Sequence, residues 1–267
     1  MFWRKITYYL GLILLLVLNS CTYQKQYTAV LKSGTPEEKY LFANAAYDKS
    51  EYKKAIPIYE ELLPIYRGRD QAEGLLYNLA NGYFMEKDYF MSAYYYKMLN
   101  RQFPNSKYVQ EAAFMSAYCK TLESPFYKLD QTATYEAIRD LSLFINYYPN
   151  HPKVEEANSL IAQMRDKLAQ KAFAIANMYY KRELFNASAI AYKNFVKDYP
   201  ESPLREDALY FLVKSRYLYA ENSIKVKQLE RYEKVLEAHA LFMRSYSNSK
   251  HTKELDKIYQ QTVTKTN

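Results

Sequence analysis

The chain has 267 residues, 49% of them apolar and 25% charged, with a formal net charge of +8. This composition is that of a folded protein and excludes collagen-like, disulfide-framework and multispan membrane classes. Only 5 glycines accompany 31 tyrosines. Because β-rich folds and glycine-loop nucleotide sites use more glycine, the composition predicts an all-α protein.

The first 20 residues have the pattern of an export signal. Arg4 and Lys5 precede a nearly continuous apolar run over residues 10–18. Even counted from residue 6, this run is 13 residues long, shorter than the roughly 20 that span a bilayer as a helix. We therefore predict a cleaved signal peptide over residues 1–20.

The motif Leu18-Asn19-Ser20-Cys21 resembles a bacterial lipobox. It predicts a covalent lipid on Cys21 and no other cofactor. An uncleaved anchor, or cleavage after Ser20 that leaves a free thiol, are the alternatives. Thr22 in place of Asp favours the outer over the inner membrane, and the lack of an acidic run after Cys21 favours the periplasmic face. Residues 21–34 are then the lipidated cysteine and a flexible tether.

Removal of Arg4 and Lys5 with the signal lowers the net charge from +8 to +6. Outside the cytoplasm, nucleic acid is not the expected partner for this excess. Three explanations of the positive excess remain open: solvated helix faces, attraction to an acidic protein surface, and attraction to anionic lipid. With Cys21 acylated, Cys119 is the remaining thiol, and its apolar neighbours predict that it is buried.

The chain contains an internal repeat. An aromatic residue is followed by a small residue at +3, Asn at +4 and an aromatic at +7 in residues 40–47, 77–84 and 173–180. Looser copies begin at Phe114 and Tyr210. Spacings of 3, 4 and 7 lie on one side of an α-helix, so each copy predicts a helix.

A second landmark closes most repeats. Phe103-Pro104, Tyr148-Pro149 and Tyr199-Pro200 are each followed by Asn or Glu and then Ser or His. Proline ends a helix because it lacks a donor and clashes with the preceding turn. Each repeat is therefore a helical hairpin that ends at such a turn.

These hairpins resemble tetratricopeptide repeats. The sequence predicts a right-handed superhelical solenoid of about five hairpins. Repeats 1–3 occupy residues 35–150, repeats 4 and 5 occupy residues 151–249, and residues 250–267 form a capping tail. Pro57 and Pro64 predict a kink or a late start in the second helix of repeat 1, and Pro125 predicts a loop.

The order of these features resembles the BamD family, lipoproteins of the outer-membrane β-barrel assembly machinery. Two segments are more specific. One is Asp130-Gln131-Thr132, and the other is the long first helix of repeat 4, which contains Tyr179-Tyr180-Lys181-Arg182. The resemblance implies that repeats 1–3 receive unfolded outer-membrane protein precursors. It also implies that repeats 4 and 5 dock on the central barrel assembly protein, with accessory subunits nearby.

The repeat pattern places amides and aromatics together on successive first helices. A side-chain amide both donates and accepts, so it suits the backbone or terminal carboxylate of an extended peptide. Alternatively, the asparagines bond neighbouring helices and the tyrosines pack between repeats; both interpretations remain open. The candidate groove comprises Tyr40, Asn44, Tyr47, Tyr77, Asn81 and Phe84.

Catalytic and metal-site motifs are not found in the sequence. The three histidines, His151, His239 and His251, are isolated. Acidic pairs such as Glu60-Glu61 are expected to be solvated. We therefore expect no enzyme.

One alternative function is another periplasmic tetratricopeptide lipoprotein, coordinating cell-wall synthesis or envelope constriction. A glycan-binding lipoprotein is less consistent with the sequence, whose only tryptophan, Trp3, lies in the signal.

Overall fold

The structure, a computed structural model, describes residues 27–69 and 71–266. The signal peptide and Cys21 lie outside these residues. Every regular element in the described ranges is α-helical, which confirms the all-α class, and no helix there is long and apolar enough to cross a membrane. After a helical segment at 27–33, the helices are α1 (Pro36–Asp48), α2 (Tyr52–Ile65), α3 (Gln71–Met85), α4 (Tyr89–Gln102), α5 (Val109–Glu123), α6 (Thr132–Tyr147), α7 (Val154–Lys181), α8 (Phe185–Asp198), α9 (Arg205–Glu221), α10 (Lys225–Tyr246) and α11 (Thr252–Thr266).

The described chain begins with a helical segment in place of part of the predicted coil. Residues 27–33 of the predicted tether are helical, so the prediction of a flexible coil is wrong for this part. The rings of Tyr27 and Phe42 stack with centroids 5.9 Å apart. Thr35 then starts α1 with a capping box, in which Glu38 N donates to Thr35 Oγ1 and Thr35 N donates to Glu38 Oε2.

The chain forms two compact units. The described part of the first is residues 27–124, without 70, together with 133–159, and the second is residues 125–132 with 160–266. The division falls between residues 159 and 160, inside α7, which is one continuous helix of 28 residues. Within each unit, successive helices pack on one another, as expected for stacked helical hairpins.

The core of the first unit combines small residues with large rings. Ala43, Ala46 and Ala80 are fully buried where helices meet, which lets their backbones approach closely. Phe114 of α5 lies edge-on to Phe144 of α6, with ring centroids 5.4 Å apart. Small side chains next to large rings therefore fill the space between the helices.

Cys119 lies in the same core. It is fully buried and its Sγ is 3.3 Å from Ser92 Oγ, to which it donates. This confirms the expected burial. Burial, opposed by the Ser92 hydrogen bond, raises the pKa of the thiol to about 11, so the group stays protonated at neutral pH.

The core of the second unit has the same construction. Tyr192 and Phe195 of α8 both lie edge-on to Phe173 of α7, at 5.5 and 5.7 Å between centroids. Helix α11 packs on α9 and α10 and buries Leu255 fully. The predicted tail thus forms a helix that covers the last hairpin.

Both proline predictions have outcomes in the structure. Helix α2 starts at Tyr52 and runs through Pro57 and Pro64, so a late start is wrong. Both prolines are exposed, where water can bind the carbonyls that lose their amide partners. The Pro125 loop is confirmed, since α5 ends at Glu123 and α6 begins at Thr132.

Three turns between paired helices share an unusual backbone conformation. Ser50, Lys87 and Glu183 have φ of 60°, 64° and 60°. Ser50 and Lys87 are 37 residues apart, which is also the spacing between the repeats that begin at Tyr40 and Tyr77. The left-handed region favours glycine, so each turn has a non-glycine residue where the backbone is strained.

Candidate peptide-binding site

The six residues of the candidate groove all lie in the first unit. Helix α1 presents Tyr40, Asn44 and Tyr47, and helix α3 presents the equivalent Tyr77, Asn81 and Phe84. All six side chains are partly buried. Because the spacing is 4 and then 3 on each helix, each set follows one helix face.

Asn44 connects α1 to the helix beside it. Tyr59 of α2 is fully buried and donates its hydroxyl to Asn44 Oδ1 over 2.7 Å. The same hydroxyl accepts from Asn78 Nδ2 at 3.4 Å. The sequence analysis missed Tyr59 and Asn78. The apolar face of α2 could place Tyr59 in the core, but no sequence signal identifies the partners of its hydroxyl.

Asn81 connects α3 directly to α1. Its Nδ2 donates to the hydroxyl of Tyr47, whose ring lies edge-on to Tyr59 at 6.4 Å. Both asparagines therefore bond neighbouring helices, which is the arrangement of the alternative interpretation. Within the described residues, no further hydrogen bond uses Asn44 Nδ2 or Asn81 Oδ1. The Asn44 Nδ2 amino group and the Asn81 Oδ1 oxygen thus remain available to a ligand.

The aromatic members of the groove also pack between helices. Tyr77 stacks on Tyr108 with centroids 4.2 Å apart, and Tyr40 stacks on Tyr66 at 5.4 Å. Phe84 lies 6.1 Å from Tyr118. Burial raises the pKa of Tyr77 above its ordinary value. The exposed part of each ring can contact a peptide side chain.

Glu60 and Glu61 are both exposed, as expected for solvated charge, but each carboxylate also bonds a neighbouring helix. Glu60 Oε1 accepts hydrogen bonds from Tyr83 at 2.7 Å and from Tyr95 at 2.9 Å. Glu61 Oε1 lies 2.5 Å from Lys39 Nζ. The pair joins α2 to α1, α3 and α4, because the two carboxylates point to different neighbours.

The Asp130-Gln131-Thr132 segment forms a loop and lies outside the groove. Gln131 is buried, and its Nε2 donates to the carbonyl of Phe126 at 3.0 Å and of Leu129 at 3.1 Å. Thr132 N donates to Asp130 Oδ1 over 2.9 Å. The segment therefore closes the loop and starts α6.

Comparison with known proteins identifies the family. Residues 32–236 match the family described as outer membrane lipoprotein, YfiO. The chain is 23% identical over 183 residues to the outer membrane protein assembly factor BamD of Pasteurella multocida, covering 65% of this chain and 70% of that protein. It is 26% identical over 230 residues to the putative outer membrane protein assembly factor BamD of Aquifex aeolicus, covering 84% and 71%. The chain therefore belongs to the YfiO family of outer-membrane lipoproteins, which confirms its resemblance to the BamD family.

Proposed function

We propose that the chain is a lipid-anchored scaffold subunit of the outer-membrane β-barrel assembly machinery. The names of both relatives support a role in outer-membrane protein assembly. A lipid on Cys21 holds the chain at the periplasmic face of the outer membrane. The chain acts by binding other proteins rather than by catalysis.

The first unit receives unfolded barrel precursors. The observation that supports this role is the pair of free polar atoms, Asn44 Nδ2 and Asn81 Oδ1, on helices joined by Tyr47 and Tyr59. An extended peptide presents one donor and one acceptor per residue. The amides bind this backbone or a terminal carboxylate, and Tyr40 and Tyr77 contact its side chains.

The second unit docks on the central barrel assembly protein, with accessory subunits beside it. Exposed aliphatic side chains support this assignment: Leu184, Ile190, Ile224 and Leu229 are 48%, 54%, 68% and 53% exposed. Of these, Leu184 and Ile190 line two pockets that share Asn186 and Tyr219, and adjoining exposed apolar side chains are typical of protein interfaces.

Purification from detergent-solubilised outer membranes tests the proposal. We expect the native lipoprotein to bring down a large barrel protein that has periplasmic repeats. Cell-wall synthases without such a protein would contradict the proposal and support the alternative role in envelope constriction.

The groove is tested with the combined variant Asn44→Ala and Asn81→Ala. Since two hydrogen bonds to a peptide are lost, affinity for a peptide from an unfolded barrel precursor should fall about tenfold. Asn177→Ala, at the same repeat position in the second unit, is the control and should bind normally. A lower melting temperature with unchanged peptide affinity would assign the amides to helix packing alone.

A further inference from the structure

A basic pocket lies in the second unit between α8, α9 and α10. Its volume is about 480 Å³. We call it the basic trough. Its walls contain five cationic side chains and two acidic ones, so the pocket has an excess of three positive charges. The cationic residues are Lys193, Arg216, Lys227, Arg231 and Lys234.

Two of the five cations are already neutralised. Arg216 lies 3.4 Å from Glu237, and Lys234 lies 2.5 Å from Glu230. Within residues 27–69 and 71–266, no carboxylate lies within ion-pair distance of Lys193, Lys227 or Arg231. The excess charge therefore resides on three side chains from α8 and α10. The bonded Lys234, with Arg231 and Lys227 nearby, lowers the pKa of Glu230, consistent with a positive potential.

The cationic wall is held in place. Arg231 lies 3.9 Å above the ring of Tyr219 and donates to Ser223 Oγ. Arg216 donates to the carbonyl of Lys234, and only 15% of its side chain is exposed. Preorganised guanidinium groups lose little entropy when they bind a carboxylate.

An apolar surface continues from the basic trough. Ile190 lines it and is 54% exposed. A second pocket shares Asn186 and Tyr219 with the trough and is lined by Leu184 and Phe185. Cationic and aliphatic binding surfaces are therefore adjacent on one side of the second unit.

We propose that the basic trough binds an acidic segment of a partner protein, in which Asp or Glu residues are interspersed with apolar ones. The carboxylates contact Lys193, Lys227 and Arg231, and the apolar side chains cover Ile190 and Leu184. This inference rests on the proposed function, since it names the chemistry of the partner docked on the second unit. A bilayer surface fits less well, because only 15% of the Arg216 side chain is exposed and Arg231 is half-buried against Tyr219.

The test uses the full-length mature lipoprotein in detergent and a fluorescent peptide of alternating glutamate and leucine. Lys193→Glu combined with Lys227→Glu should weaken binding at least about tenfold, since two charge-assisted contacts become repulsive. Both lysines are exposed, so the variant should fold. Lys253→Glu combined with Lys257→Glu makes the same charge change on exposed positions of α11 and should bind normally.

Three results would overturn the inference. Equal loss of binding in both double variants would mean that peptide affinity depends only on the net charge of the protein and not on the basic trough. No binding of the peptide to the unchanged protein would also contradict it. Phosphatidylglycerol vesicles that bind through Lys193 and Lys227, while the peptide does not, would identify a lipid site instead.

Co-purification separates this inference from the proposed function. If the barrel protein is recovered undiminished with Lys193→Glu and Lys227→Glu, and peptide affinity is unchanged, the inference alone fails. If the unchanged protein recovers only cell-wall synthases but binds the peptide through the trough, the proposed function alone fails.

Discussion

The buried hydroxyl of Tyr59 donates to Asn44 Oδ1 over 2.7 Å, joining α2 to the first helix of the repeat. The bond lies at the position where the repeat pattern places asparagine. A buried polar contact of this kind fixes how the two helices pair, because leaving either atom unsatisfied costs free energy.

Removal of this contact should destabilise the first unit. Asn44→Ala leaves the Tyr59 hydroxyl with only the longer bond from Asn78, and we expect a loss of about 1–2 kcal/mol. Tyr59→Phe removes the hydroxyl, so the double variant should lose less than the sum of the two single changes. Urea unfolding of all three variants measures the coupling, and strict additivity would contradict it.

Lys120 should matter more to stability than an exposed lysine. Its Nζ lies 2.7 Å from Asp140 and 2.9 Å from Glu136, and its side chain is 14% exposed. Lys120→Met leaves two carboxylates facing each other, and we expect a loss of about 2 kcal/mol. Lys53→Met is the control, since Lys53 is 85% exposed and 3.7 Å from Glu86. It should cost less than about 0.5 kcal/mol in the same unfolding assay.

The same network predicts a loss of stability in acid. Burial alone would raise the pKa of Asp140, but hydrogen bonds from Lys120 and Arg139 outweigh it and hold the pKa below the ordinary 3.8. A lowered folded-state pKa adds stability above the unfolded value, which is lost as the pH falls through the folded value. Urea midpoints should therefore fall below about pH 4. Asp140→Asn should flatten this dependence, and an unchanged slope would exclude Asp140 as its source.

The strained turns offer a stabilising change. Lys87 has φ of 64°, so Lys87→Gly should relieve the left-handed strain and raise stability by about 0.5–1 kcal/mol. Lys97→Gly, at an exposed position inside α4, is the matched control and should lower stability by about 1 kcal/mol. A decrease in thermal midpoint for both variants would show that Lys87 contributes contacts that outweigh the strain.

Local sequence signals were sufficient for the helices. The period of Tyr40, Asn44 and Tyr47 predicted α1, and Pro125 predicted the loop before α6, because both depend on neighbours within a few residues. A late start of α2, one of the two outcomes predicted from its prolines, is wrong, because burial of its apolar face stabilises a helix despite Pro57.

The contacts of the candidate groove depend on residues far apart in sequence. Asn81 was predicted, but its bond to Tyr47 spans 34 residues. Glu60 was correctly assigned to solvent, but its hydrogen bonds were missed, because adjacency in sequence says nothing about hydroxyls brought from α3 and α4. The left-handed turn at Lys87 was missed because the sequence has no glycine to mark it.

The two phenols held by Glu60 make this region visible to ultraviolet spectroscopy. Burial and the bonded carboxylate raise the pKa of both Tyr83 and Tyr95. In an alkaline titration, exposed tyrosines should gain phenolate absorbance first, and these two should follow only when the helices around Glu60 separate. Replacement of Glu60 by glutamine would then shift part of the late absorbance change to lower pH, giving an optical record of unfolding that needs no added dye.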